Sequence, residues 1–226
     1  TCFRLRGQDT RVAGREVMRV SMKQSGICIR NRKLKNLEVV LTKWRKIHSS
    51  FSKEFQYDSL HWYNERANIS VLAGAAWKSG EFCLEEYSIT KINRKERWWG
   101  RADLWFTRGN NEYYIEAKQV IVSLSKKARI SIEKIEDALK SGRKDAARTR
   151  GKLGKWHSLG IVFVVPRLAV SESEDLDENL GIFMNEIETL KYDIMSYTFP
   201  SAYRELNDSG YIYPGVVLIG KVPRRR

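Results

Sequence analysis

The chain has 226 residues, 42% hydrophobic and 30% charged with seven tryptophans, a composition that suits a folded globule and excludes a disordered chain. No apolar run approaches the ~18–20 residues of a membrane span. Three cysteines (Cys2, Cys28, Cys83) and three histidines (His48, His61, His157), none at metal-ligand spacing, exclude a disulfide framework and a zinc site. With no hydrophobic block after the basic N-terminus to mark a secretory signal, the expectation is a cytoplasmic protein using oxygen-ligand chemistry. The net charge of +14 is uneven: residues 1–50 carry 13 Lys/Arg against 3 Asp/Glu, residues 51–150 carry 19 against 14, and residues 151–226 carry 9 against 10. A polyanion is the natural partner of such a basic arm and centre. A membrane surface is not, since the arm lacks an amphipathic helix with large apolar residues.

In chain order, residues 1–35 are basic, glycine-interrupted and weakly periodic. They read as a basic extension, of vector origin or flexible, and the remainder (36–226) as one domain. Asn36–Phe51 is predicted helical, with Leu37, Val40, Leu41, Trp44 and Ile47 forming an apolar stripe. Ser59–Trp77 is a second predicted helix, stopping near Ser79-Gly80, and Phe82–Thr90 is strand-like. After a charged stretch comes a hairpin over Arg101–Lys118. Ser131 can cap a third helix running to about Arg150. Leu159–Pro166 reads as a buried central strand, Glu172–Tyr192 as a helix and Tyr211–Val222 as a closing strand. Helix, strand, strand, strand, helix, strand through the middle predicts an α/β fold, a mixed sheet with helices packed on it.

The hairpin, RADLWFTRGNNEYYIEAK, carries the chemistry. Gly109-Asn110 is a two-residue turn signal between alternating segments, which pairs residues whose numbers sum to 219. Asp103 then faces Glu116 and Arg101 faces Lys118. Ala102, Leu104, Phe106, Tyr113, Ile115 and Ala117 fall on one face, and Arg101, Asp103, Trp105, Tyr114, Glu116 and Lys118 on the other. Opposed carboxylates destabilise a sheet unless a cation lies between them, so the pattern points to a metal site. Asp103 and Glu116 suit Mg²⁺, which takes one or two carboxylates and keeps several waters. Lys118, two residues beyond Glu116 on the same face, can orient a water and counter charge developing on a phosphate; the plainer reading is that it neutralises the acids.

The order of elements, with Asp103 and Glu116-Ala117-Lys118 across two successive strands and a preceding helix bearing Glu65, resembles the PD-(D/E)XK nuclease superfamily. The resemblance covers roughly residues 59–166, and it departs from the motif in having Ala102 where proline often precedes the acid. It implies a restriction-endonuclease-like αβββαβ core and a metal-dependent DNA endonuclease hydrolysing phosphodiester bonds. Mg²⁺, with Mn²⁺ as substitute, would be held by Asp103, Glu116 and the Ala117 carbonyl, with Glu65 supporting the metal directly or through water. Read from the residues alone, Glu65 could equally form a local ion pair with Arg66.

Two basic regions suit a nucleic-acid backbone. Lys91, Arg94, Lys95, Arg97 and Arg101 interleave with Trp98-Trp99, where guanidinium and ammonium groups hold phosphates and an indole stacks on a base. The third helix offers Lys134, Arg143, Lys144 and Arg148. DNA is the expected partner, and a homodimer would supply a second site. The alternatives are a nucleic-acid-binding protein that keeps the fold without the chemistry, and an interaction protein whose basic arm meets acidic partners.

Overall fold

The structure is a computed structural model that describes residues 6–8, 19–21, 24–55, 58–93, 96–125, 132–149, 155–204 and 210–223. Among the described residues, short strands β1 (Arg6–Gln8) and β2 (Arg19–Ser21) pair only with each other. Then come β3 (Ser25–Ile29), α1 (Glu38–Glu54), α2 (Glu65–Trp77), β4 (Cys83–Ile92), β5 (Arg97–Arg108), β6 (Asn111–Ser123), α3 (Ile132–Ala146), β7 (Lys155–Ala169), α4 (Leu176–Thr189), β8 (Ile194–Thr198), β9 (Tyr211–Ile212) and β10 (Val216–Lys221). The fold is α/β: a mixed eight-stranded sheet, β3-β8-β10-β7-β6-β5-β4 with β9 on β7, flanked by four helices. Among the described residues no helix is long and apolar enough to cross a membrane.

The sheet has two apolar faces because its central strands are buried on both. β7 is buried without interruption from Ser158 to Pro166. Leu159, Ile161 and Phe163 join α1 and α2 in one core, while Val162 and Val164 join Ile135 and Leu139 of α3 and Leu180 and Phe183 of α4 in the other. β7 runs parallel to β6 and antiparallel to β10. The expected stripe of α1 is the buried one, Val40, Leu41 and Trp44 packing inward beside Leu37.

Several boundaries differ for identifiable reasons. The second helix begins at Glu65, not Ser59, because the Asn64 side chain accepts the Ala67 N–H at 2.9 Å and starts it there. The preceding turn is held by Asp58, which accepts from Ser59 N (2.7 Å), Trp62 Nε1 (3.1 Å) and Tyr63 OH (2.8 Å). The expected helix over Glu172–Tyr192 is a 3-10 turn, Val170–Asp175, followed by α4. The closing strand is split into β9 and β10 around Pro214-Gly215. Ser131, the expected cap of α3, lies outside the described residues. Four strands had no sequence signal: β8, and β1, β2 and the sheet-edge strand β3, which come from the stretch set aside as an extension. Cys28 on β3 is disulfide-bonded, so the odd cysteine count concealed one cross-link, whereas Cys83 is free and buried.

Candidate active site

The hairpin turns as its sequence requires. Gly109 takes φ +57°, the left-handed value a tight hairpin needs at its first central position, and Arg108 pairs with Asn111. Pairs then run back in the expected register to Leu104 and Ile115, and there the ladder stops. From that point β5 stays with β4 (Ala102 with Tyr87, Arg101 with Ser88), while β6 stays with β7 (Glu116 with Gly160, Lys118 with Val162). The sheet forks, and Asp103 stands in the fork.

The fork corrects three expectations. Asp103 does not pair with Glu116, whose strand partner is Gly160 of β7. Arg101 does not face Lys118; it pairs with Ser88 and its guanidinium reaches Glu86 at 3.3 Å. Ala102 does not share a face with Leu104; it packs with Tyr114 and Ile89, whereas Leu104 and Phe106 join the α1–α2 core. The faces of β5 exchange at Asp103, opposite Glu86, whose φ of +51° interrupts the β4 ladder without shifting its register. A non-glycine residue held there is strained, and Glu86 is bracketed by Arg66 (3.4 Å) and Arg101. Arg66 therefore serves Glu86, not Glu65.

In place of the lost strand pairing, Asp103 Oδ2 accepts the Ala117 N–H at 2.7 Å. Glu116 is 4% exposed, and burial pushes its carboxyl upward, as does Asp103, against the opposing pull of Lys91. Its Oε1 and Oε2 lie 3.0 and 3.2 Å from Lys91 Nζ, and Oε1 also accepts from Thr149 Oγ1 at 3.1 Å. Lys118 Nζ donates to the Ala117 carbonyl at 2.8 Å and lies 3.9 Å from Asp145. Glu65, on the first residue of α2, is also pushed up by burial; Lys118 opposes that shift, Asp103 adds to it, and a bond from the Gln119 N–H lowers it. Its neighbour Asn68 donates to Gln119 Oε1 at 3.0 Å, tying α2 to β6.

The structure thus brings Glu65, Asp103, Glu116 and Lys118 to one place, where the N-terminus of α2 and the end of α3 meet the fork. Close packing sets the α3 side. A Cβ on Gly160, the strand partner of Glu116, would lie 2.2 Å from Arg143 N, and one on Gly142 would lie 3.3 Å from the Glu116 carbonyl. Only glycine at 160 lets α3 sit this close, which carries Asp145 and Thr149 to the site.

Three oxygen donors suit a hard divalent ion: Asp103, Glu116 and the Ala117 carbonyl. Two of them already meet a cation, since Lys91 neutralises Glu116 and Lys118 caps Ala117. These oxygens are turned to positive charge, and in this respect the residues fit the metal that the resemblance implies. Among the described residues no three His, Cys, Asp or Glu side chains form an ion cage, so carbonyl and water ligands would have to complete the coordination.

Of the expected nucleic-acid contacts, Arg97 and Arg101 are exposed, Trp99 is 80% exposed and Trp98 is half-buried, all on the β5 arm leading away from Asp103. Arg94 and Lys95 lie outside the described residues. Lys134 and Lys144 are exposed on α3, Arg143 is half-buried, and Arg148 pairs with Asp145 at 3.4 Å. Sequence reading missed Thr149, Asp145 and Gly160, and it took Lys91 for a phosphate contact. Nothing in the local sequence marks Thr149, which reaches Glu116 only through the packing of α3. Compared with known proteins, the chain matches no family model, no curated protein and no solved structure.

Proposed function

We propose that this chain is a Mg²⁺-dependent DNA endonuclease whose αβββαβ segment, α2 to β7, is a PD-(D/E)XK-like core. The observation that carries the reading is the convergence of Glu65, Asp103, Glu116 and Lys118 at the fork between β5 and β6. Asp103, Glu116 and the Ala117 carbonyl would hold the ion, with Glu65 supporting it. A divalent ion there would supply Lewis-acid stabilisation of the phosphate and a more acidic water. Lys118 is anchored on the Ala117 carbonyl, where its ammonium can orient a water and counter the charge developing on a phosphodiester. The Trp99, Arg97 and Arg101 arm would hold the strand, the guanidiniums on phosphates and the indole on a base. A homodimer would allow both strands of a duplex to be cut.

The second reading is a nucleic-acid-binding protein that keeps the fold without cleaving. It is favoured by one observation, the Lys91 ammonium on both oxygens of Glu116. The deciding experiment incubates the purified protein with linear, circular and single-stranded DNA in Mg²⁺, Mn²⁺ or EDTA, beside an Asp103→Ala variant. Cleavage that needs the metal and disappears in the variant, with DNA binding retained, supports the nuclease. Cleavage that persists in the variant sinks it, and DNA binding with no cleavage under any condition supports the second reading.

A further inference from the structure

We propose that Lys91 is a built-in counter-ion of the site: its ammonium and the divalent ion compete for Glu116, so that binding of the ion displaces the lysine. This rests on the metal-site reading above and assigns to Lys91 a role that reading does not contain.

The placement of Lys91 is specific. It lies near the end of β4, opposite Trp98 of β5, and has to cross β5 to reach a carboxylate on β6. Gly100 clears that path: a Cβ there would lie 2.9, 3.1 and 3.3 Å from Lys91 Cδ, Cγ and Cε. The side chain is 15% exposed, far from the usual state of a surface lysine. Its backbone is fixed as well. Lys91 bridges to Thr149, and the Ile92 N–H donates to the Arg148 carbonyl at 2.8 Å, so β4 is stapled to the turn after α3. That same turn sends Thr149 Oγ1 to Glu116 Oε1. Strand, glycine lane and turn together deliver one ammonium to one buried carboxylate.

A buried carboxylate without a partner is costly, and a single ammonium spanning both oxygens relieves that cost. Mg²⁺ binds carboxylate oxygen at roughly 2.0–2.1 Å. With Nζ at 3.0 and 3.2 Å from the two oxygens, an ion seated between them at that distance would lie against another cation. The two cations therefore exclude each other at Glu116. The lysine keeps the carboxylate compensated before the ion arrives and weakens the ion's apparent affinity once it does.

The test is calorimetric titration of Mn²⁺ and Mg²⁺ into the wild-type chain, Lys91→Met and Gly100→Ala, with thermal unfolding to confirm that each variant folds. Lys91→Met removes the competing charge; Gly100→Ala keeps the charge but pushes its stem aside. If Lys91 competes, Lys91→Met binds the ion more tightly, by about tenfold or more since a charged hydrogen bond is worth roughly 1.5–3 kcal/mol. Gly100→Ala then shifts the affinity in the same direction by less. If Lys91 only props Glu116 in place, Lys91→Met binds the ion no better or worse, and the proposal falls. Should Lys91→Met fail to fold, Gly100→Ala decides alone, and an unchanged affinity overturns the proposal. Absence of ion binding in all three proteins removes the metal site itself, whereas equal binding in all three removes only the role of Lys91.

Discussion

Asp103 and Ala117 are joined by a bond that a sheet would ordinarily make between two backbones: the carboxylate oxygen Oδ2 takes the amide of Ala117 at 2.7 Å at the point where β5 and β6 separate. One carboxylate thus closes the fork and lines the site. Leaving the Ala117 N–H unpartnered would cost about 1–3 kcal/mol. Asp103→Asn retains an acceptor oxygen, so its melting temperature should stay close to wild type, while Asp103→Leu should be destabilised by about that amount. If the proposed nuclease reading holds, both should lose Mg²⁺-dependent cleavage, by more than the roughly 10–100-fold that outer partners of a metal are worth. Thermal unfolding and cleavage assays on the two variants separate the roles; full activity in Asp103→Asn would show that the bond to Ala117 is its only function.

Gly160 tests the packing that carries Thr149 to Glu116 and Asp145 to Lys118. An alanine there would drive its Cβ into the backbone of Gly142 and Arg143, at 2.3 and 2.2 Å, and backbone cannot swing aside as a side chain would. Gly160→Ala should therefore destabilise by at least the ~1–3 kcal/mol typical of overpacking. Gly181, in α4 with nothing within 4 Å of its added Cβ, is the control: Gly181→Ala should stabilise by about 0.5–1 kcal/mol. Chemical denaturation of both variants reads the difference, and equal effects would mean that α3 is free to shift.

The sequence was informative where local chemistry decides the outcome and silent where distant segments meet. Gly109-Asn110 specified the turn, and alternation specified the register as far as Leu104 and Ile115. Extrapolating that register further put Arg101 opposite Lys118, because nothing in Arg101–Asp103 announces that β5 and β6 part company. The cause is tertiary: β6 follows β7, β5 follows β4, and the φ of +51° at Glu86 turns the β5 faces over. Glu65 was named as a candidate only through the resemblance. Its position at the helix's first turn, aimed at the fork, depended on the Asn64 cap, which the longer helix prediction overran. β8, buried at all five residues, and β3 escaped notice as five-residue strands without turn signals of their own.

Trp99 offers a test of the proposed substrate arm that leaves the fold alone. Its indole is 80% exposed, so Trp99→Ala removes little packing, and the melting temperature should hold. If the indole stacks on a base, DNA binding should weaken by about 1–3 kcal/mol, the usual worth of one stacked base. Fluorescence anisotropy with a labelled single strand measures this, and unchanged affinity would remove Trp99 from the interface. Trp98 is half-buried, so the companion Trp98→Ala should lower stability as well.

A pH-sensitive feature lies away from the site, where His48 and His61 are fully buried with ring centroids 5.7 Å apart. His61 Nε2 meets the Tyr213 carbonyl at 3.1 Å, while neither ring nitrogen of His48 has a hydrogen-bond partner among the described residues. Burial holds His48 well below the ordinary imidazole range, reinforced by His61, and lowers His61 to about 4 despite the Tyr213 carbonyl and Asp58, which oppose that shift. Both folded values thus lie below the ~6.5 of an exposed imidazole. As the pH falls through 6.5 the unfolded chain takes up protons that the folded chain refuses, so stability is complete above that pH and drains away below it. For His61 alone the loss between pH 6.5 and 4 amounts to about 3 kcal/mol. Ordinary carboxylates begin to titrate near the lower end, and burial raises Glu65 and Glu116 above them, so the comparison of two proteins that share those carboxylates, across pH 6.5 to 5, isolates the imidazole. Urea unfolding across that window should show stability falling with pH in the wild-type chain. The slope should flatten in His48→Leu, which removes one buried imidazole and leaves His61 in place. Identical slopes in the two proteins would mean that His48 is protonated as readily in the folded chain as in the unfolded one.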